Sequence, residues 1–307
     1  MAERDTAIDL AVDATFDLSR FVHVAREGLG AAAQATRVAK VLAGSRNRTR
    51  KAGTPPHPTA EELESASKLE AFAAKQFPHF PFLYGLAAFR LSAILEAGVE
   101  DWLRDLLVIH PEIRERPAFA QLEGALVPFA RATPLQQAQM LLDGVKGRLA
   151  TPLKKGVGRF ETLLDACGLG GAVCDVVRRL ILELIEVRNA VAHRNGKADE
   201  RFLQQCPWFL AARGQPLLVT PLHFDRYVVA VHWYLVELSR RYDAIHPSSA
   251  GAASKKPAEI QELLDELKAR LQQMELSLKG KNRITSTCSQ PRDELSVTCR
   301  TPVARGG

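Results

Sequence analysis

The sequence has few cysteines, five in 307 residues, and no two of them are spaced as a Cys-x-x-Cys pair. The low, odd count argues against a disulfide framework, and the missing pair argues against a cysteine-ligated zinc site. The first residues lack a basic segment followed by an apolar one, so no secretory signal is predicted. No uninterrupted apolar run approaches the roughly 20 residues of a membrane-spanning helix. We therefore expect a soluble, cytoplasmic protein without membrane contact.

Signals of β-structure are also scarce. Only residues 214–219 have the composition of a brief extended segment, whereas apolar residues elsewhere recur at helical spacing. This pattern predicts an all-α protein. The excess of basic residues is mild, with 41 Lys and Arg against 35 Asp and Glu and a net charge of +6. Such a balance permits contact with a phosphate backbone but does not require it.

Changes in composition divide the chain into five segments. Basic and Pro-rich stretches follow the first helical region, and a run of small residues precedes the last one. We predict an N-terminal helical extension with its linker, a helical domain, a second linker, a coiled-coil-like helix and a disordered tail, at residues 1–58, 59–246, 247–256, 257–279 and 280–307. The basic residues 46–51 are interpreted as solvated linker, with a loop that contacts phosphate as the alternative.

Local signals locate the helices of the domain. Thr59 and Glu62 have the spacing of a capping box, and Thr133-Pro134 with Gln136 opens another helix. The widest apolar stripe runs along residues 82–109 and ends at Pro111, so this helix is predicted to be central in the core. Further helices are predicted near residues 160–164, 172–194, 199–205 and 222–242.

The last helix carries a seam with alternating spacings of four and three residues. Its members are Ile260, Leu264, Leu267, Leu271, Met274 and Leu278. Such a seam packs either against a second copy or against the body of its own chain, and the sequence leaves both open.

Polar residues are concentrated at the end of the helix predicted at 172–194. Arg188, Asn189 and His193 follow an apolar face and precede a helix stop at Asn195-Gly196. At about 100° per residue, Asn189 and His193 share a face while Arg188 lies to one side. The helix dipole favours a protonated His193, and Arg188 offers a planar cation to phosphate oxygens. Alternatively, both residues merely cap and solubilise the helix end.

The spacing of Arg188 and His193 carries no information by itself. Comparable pairs occur at Arg50 and His57, Arg104 and His110, Arg226 and His232, and Arg241 and His246. We interpret His110, His232 and His246 as structural. The glycines at 168, 170 and 171 do not form a phosphate-binding loop, because no strand precedes them and no Lys-Ser/Thr follows.

The context of the pair is more specific. The run from Arg188-Asn189 through His193-Arg-Asn-Gly to Asp199, with Arg201-Phe202 and Cys206-Pro207 behind it, resembles the HEPN superfamily (higher eukaryote and prokaryote nucleotide-binding domains). It is most similar to bacterial branches of the RiboL-PSP type. Residues 89–97 are similar to the early core helix of such proteins, so the resemblance spans about residues 60–245. It implies an antiparallel helical bundle, often a homodimer with two Arg/His sets in one cleft.

The resemblance also implies a function. Active members are RNA endonucleases that need no metal or cofactor, and in them a ribose 2′-hydroxyl attacks the adjacent phosphate. His193 would be the acid/base, Arg188 would stabilise the phosphorane, Asn189 would hold the site in shape and Glu96 would pair with the arginine. A carboxylate in an apolar stripe needs a cation, which also favours a contact between Glu96 and Arg188.

Two functional interpretations follow from the resemblance. The first is an RNA-cleaving enzyme in stress response, phage defence or a toxin–antitoxin pair. The second is a non-catalytic nucleotide-binding or protein-interaction module that recruits an antitoxin or another protein through residues 257–279.

Overall fold

The structure is a computed structural model that describes residues 6–48, 59–76, 79–149, 155–246 and 257–287. Within these ranges the chain forms a bundle of twelve α-helices with one short 3₁₀ helix, Pro111–Glu115, and no strand. The all-α prediction is therefore confirmed. In chain order, α1 to α12 are Ala7–Ala32, Ala35–Arg48, Ala60–Gln76, Pro81–Ile109, Pro117–Ala120, Leu126–Arg131, Pro134–Leu149, Gly158–Cys167, Asp175–His193, Glu200–Gln205, Pro221–Ile245 and Pro257–Thr287.

Side-chain caps explain where several helices begin. The Thr59 N–H donates to Glu62 Oε2 at 2.7 Å, and the Glu62 N–H donates to Thr59 Oγ1 at 3.2 Å. Thr133 and Gln136 exchange the equivalent pair of hydrogen bonds at the start of α7. These side chains satisfy backbone groups that have no partner within the first helical turn. Both capping predictions are confirmed.

Helix α4 is central, as its wide apolar stripe predicts. It packs against α1, α7, α9 and α11, and its fully buried side chains include Leu91, Leu95, Val99, Leu103 and Leu107. Among the described residues, α4 is the one helix long and apolar enough to cross a membrane. More than half of its most apolar stretch, however, is buried in the bundle. That burial is typical of a core helix.

The N-terminal extension differs from its prediction in two ways. The predicted single helical region is two helices, and α2 continues through Arg48, so Arg46 to Arg48 belong to a helix rather than to the linker. Residues 49–58 of that linker lie outside the described residues. Helix α1 also packs directly on α4, with Ile8 and Val22 buried in the common core. The predicted boundary at residue 58 therefore separates this helix from the core that it helps to build.

Helix α12 lies on the body of its own chain. It packs along α11, and Ile260, Leu264 and Leu271 of its seam are buried. The guanidinium of Arg226 on α11, itself buried, pairs with Glu275 on α12 at 3.3 Å. Of the two arrangements that the seam allows, this chain adopts the internal one.

The last helix is also longer than predicted. Helix α12 continues through Thr287, beyond its predicted end at residue 279. The rest of the predicted tail, residues 288–307, lies outside the described residues, as do the linker 247–256 and the side chain of Leu278.

The brief extended segment predicted at residues 214–219 is a bridge rather than a strand. Lys197 and Pro216 form one isolated antiparallel bridge. The Ala198 N–H donates to the Gln215 carbonyl at 2.9 Å beside it. The bridge holds the segment that follows α9 in a fixed position.

Candidate functional site

Helix α9 is apolar toward the core and becomes polar as it reaches the surface. Its fully buried side chains include Val177, Leu180, Ile181, Leu184 and Val187, and it packs against α4 and α11. Arg188 and Asn189 follow at the edge of this face and are half-buried. His193 is the last residue of the helix and is exposed.

The helix ends where the sequence predicts a stop. Arg194 is the C-cap, and Asn195 and Gly196 adopt left-handed φ angles of 51° and 70°. The Gly196 N–H donates to the Ala190 carbonyl at 3.0 Å and closes the last turn. Glycine and asparagine tolerate this conformation better than other residues, so the pair fixes the end of α9.

The segment after the stop is tied back to it through Asp199. The Phe202 N–H donates to one oxygen of this carboxylate at 2.8 Å, and Arg194 Nε donates to the other at 2.9 Å. The hydrogen bond from Phe202 has the larger effect, and both hydrogen bonds lower the pKa of Asp199. Asp199 therefore both caps α10 and orients Arg194.

Glu96 joins three helices at the site. Its carboxylate on α4 lies 2.6 Å from Arg159 Nη2 on α8 and 3.6 Å from Arg188 Nη2 on α9. The Ser92 hydroxyl, one turn earlier on α4, donates to the same carboxylate at 3.4 Å. The contact between Glu96 and Arg188 that the apolar stripe predicts is therefore present. Arg159, however, is the closer partner.

Arg188 contacts neighbouring side chains and still retains hydrogen-bonding capacity. Its Nη1 donates to Asn189 Oδ1 at 3.1 Å, and its guanidinium lies 6.0 Å from the centre of the Phe89 ring. Its side chain is 32% exposed, which leaves one edge open to solvent. Because a guanidinium has five N–H donors, Arg188 can bind an anion without losing its contact with Asn189.

His193 is not part of this cluster within one chain. It is exposed, and its side chain makes no hydrogen bond or ion pair with any described residue. Five residues at about 100° each turn it well away from Arg188 on the helix surface. The structure thus brings together Arg188, Asn189 and Glu96 and leaves His193 on another face.

Sequence reasoning missed Arg159. This residue lies in the first turn of α8, directly before a buried phenylalanine, and its side chain also covers that Phe160 ring at 4.7 Å. No spacing rule links it to Glu96, because the two residues belong to separate helices. Only the packing of α8 near α4 reveals the ion pair.

The cluster has the charge to attract an anion. Two guanidinium groups surround one carboxylate, which leaves an excess of one positive charge. The side chains of both arginines are 32% exposed, so a phosphate has access from solvent. Phosphate oxygens are the acceptors that a planar guanidinium binds best.

The histidines interpreted as structural have different surroundings. His232 contacts Thr15, and its ring packs 4.6 Å from the Phe16 ring. Burial is the main cause that lowers the pKa of His232 to about 4, and the positive charge of Arg270 lowers it further. His110 and His246, in contrast, lie together at one end of the bundle with their rings stacked 3.9 Å apart. Nothing in the sequence predicts this contact.

No protein-family model matches the chain, and no curated protein or solved structure is significantly similar to it.

Proposed function

We propose that this protein is a HEPN-like, metal-independent RNA endonuclease. The observation that carries the proposal is the placement of Arg188. Its guanidinium is anchored by Glu96 and Asn189, yet is one-third exposed beside the end of a helix that also presents His193 to solvent. This phosphodiester cleavage requires a cation and an imidazole, and α9 carries one of each on different faces.

The chemistry uses only groups of the RNA and of this chain. The 2′-oxygen forms a bond to the adjacent phosphorus while the bond from phosphorus to the 5′-oxygen breaks. One imidazole takes the proton from the 2′-hydroxyl, and a protonated imidazole gives a proton to the leaving 5′-oxygen. Arg188 stabilises the negative charge that builds on the phosphorane oxygens. The products are a 2′,3′-cyclic phosphate and a 5′-hydroxyl.

A homodimer through the region of residues 172–194 completes the site in this proposal. Since Arg188 and His193 point to different sides of α9, a second copy would supply the opposing histidine. The neighbouring face of α4 carries exposed Phe82, Leu86 and Phe89. Apolar residues of this kind favour a protein partner. The expected setting is cytoplasmic RNA cleavage in stress response, phage defence or a toxin–antitoxin pair.

A specific observation favours a second candidate, a non-catalytic nucleotide-binding or protein-interaction module. Arg188 already has an internal carboxylate partner, which accounts for it without any substrate. A protein partner or antitoxin recruited through residues 257–279 would have to contact the outer surface of α12, because the seam of that helix is occupied by α11.

The two candidates are separated by a cleavage assay in EDTA. Purified full chain, His193→Ala and Arg188→Ala are incubated with total RNA, and His23→Ala, which removes another exposed histidine, is the control. We expect cleavage by the wild type and the control, with losses of about 10²–10⁴-fold for His193→Ala and about 10²–10³-fold for Arg188→Ala.

The ends of the products add a second test. Cleavage by 2′-hydroxyl attack leaves 5′-hydroxyl ends that a polynucleotide kinase labels without prior phosphatase treatment. Equal inertness of the wild type and His193→Ala, or equal cleavage by both, would contradict the enzyme.

A further inference from the structure

The ends of α4 and α11 bring three metal-ligating side chains together. His110 follows α4, Glu112 lies in the 3₁₀ helix and His246 follows α11. One ligand atom from each of the three lies within 4.8 Å of the others. His110 and Glu112 are two positions apart, whereas His246 is distant in the sequence and is brought to them by the packing of α11 against α4.

The spacing of the donor atoms suits one small cation. His110 Nδ1 lies 3.1 Å from Glu112 Oε1. Two ligands at about 2.0–2.2 Å from a tetrahedral ion are separated by a little over 3 Å, so this distance needs little adjustment. The stacked rings of His110 and His246, 3.9 Å between centroids, bring the second imidazole alongside.

The remaining nitrogen of His110 is already oriented. His110 Nε2 and the Tyr242 hydroxyl are 2.9 Å apart, and the Tyr242 ring packs edge-on against Trp102. An imidazole that ligates a metal through one nitrogen commonly hydrogen-bonds through the other, which fixes its tautomer and its direction. Tyr242 is therefore a positioning residue for Nδ1 of His110.

We infer that His110, Glu112 and His246 form a binding site for a divalent transition metal such as Zn²⁺. Two imidazoles and one carboxylate are a donor set for borderline cations of this kind rather than for Mg²⁺ or Ca²⁺. Three protein ligands leave a fourth position for water. A cavity of about 320 Å³, which Glu112 and His246 help to line, lies beside the ligands and has room for that water.

The site is separate from the Arg188 cluster. His110 lies fourteen positions after Glu96, about 21 Å along the axis of α4 at 1.5 Å per residue. The inference therefore does not depend on RNA cleavage, and a metal bound here takes no part in that reaction. The sequence does not predict this metal site, because the cysteine pattern bears only on cysteine-ligated zinc and because the family resemblance implies no metal.

Metal binding is measured on the full chain, purified without a histidine tag and stripped with EDTA before dialysis. We expect about one equivalent of Zn²⁺ by calorimetry, the visible absorption of four-coordinate Co²⁺, and a higher melting temperature with Zn²⁺, because the ion binds only the folded arrangement. His110→Ala and His246→Ala should each lower the affinity about a hundredfold or more, and Tyr242→Phe should lower it about tenfold.

Matched controls keep the result interpretable. His23→Ala removes an exposed histidine elsewhere and should bind Zn²⁺ like the wild type. If His110→Ala fails to fold by circular dichroism, Glu112→Gln carries the test, since the Glu112 side chain is 61% exposed against 12% for His110. Absence of Zn²⁺ and Co²⁺ binding by the wild type, or undiminished binding by the ligand variants, would overturn the inference and leave the cluster as a hydrogen-bonded end of the bundle.

Discussion

Glu96 shows at the scale of one residue how a charge in an apolar stripe is accommodated. Its side chain is 20% exposed, and its carboxylate is shared between Arg159 and Arg188. The cost of partial burial is therefore offset by two cations and the Ser92 hydroxyl. Removing the charge leaves two guanidinium groups facing each other. Glu96 therefore has a structural role that does not depend on the proposed function of Arg188.

Glu96→Gln should lower the free energy of unfolding by about 1–2 kcal/mol, because a charged hydrogen bond is lost while solvent still screens the arginines. Urea unfolding measures the change. The matched control is Glu100→Gln on the same helix. The Glu100 side chain is 42% exposed, and its carboxylate pairs with Lys146 at 2.8 Å. We expect a loss below about 0.5 kcal/mol there. Equal losses for the two variants would show that Glu96 has no special role.

At the scale of the element, α12 illustrates how one apolar pattern serves alternative partners. The spacing of the apolar seam suits packing against a second copy as well as against α11. In this chain, buried Leu264 and Leu271 and the ion pair between Arg226 and Glu275 hold α12 against α11. The helix is a docked appendage rather than a free coiled coil. Its stability on the body therefore depends on a few buried side chains.

Leu271→Ala should weaken the docking of α12 by about 2–4 kcal/mol, since Leu271 is fully buried and its truncation leaves a cavity. Amide hydrogen exchange along α12 measures this loss. Leu276→Ala removes the same atoms from a residue that is 69% exposed and should leave exchange nearly unchanged. Fast exchange of α12 in the wild type would contradict the docked arrangement.

At the scale of the whole molecule, the proposed mechanism depends on association. One chain places Arg188 and His193 on different sides of α9, so a shared cleft requires a dimer. We expect light scattering at micromolar concentration to give twice the mass of one chain. A monomeric mass under those conditions would remove the shared-cleft mechanism.

The apolar face beside the site provides the variant for that measurement. Leu86→Glu places a charge on an exposed side chain of α4 and should yield monomers that keep the helical circular dichroism spectrum of the wild type. Leu276→Glu changes an exposed leucine on α12 and should remain dimeric. Equal masses for the wild type and Leu86→Glu would place the interface elsewhere.

The amino-acid sequence by itself determined the all-α class, the caps at Thr59 and Thr133 and the stop at Asn195-Gly196. The caps and the stop depend on hydrogen bonds and φ angles within a few residues. The period of the apolar residues likewise determined that α4 is central. The tertiary structure alone decided that Arg159 reaches Glu96, that α12 packs on its own chain and that His110 meets His246. Each of these joins separate helices, and local spacing contains no information about which surfaces of two helices will meet.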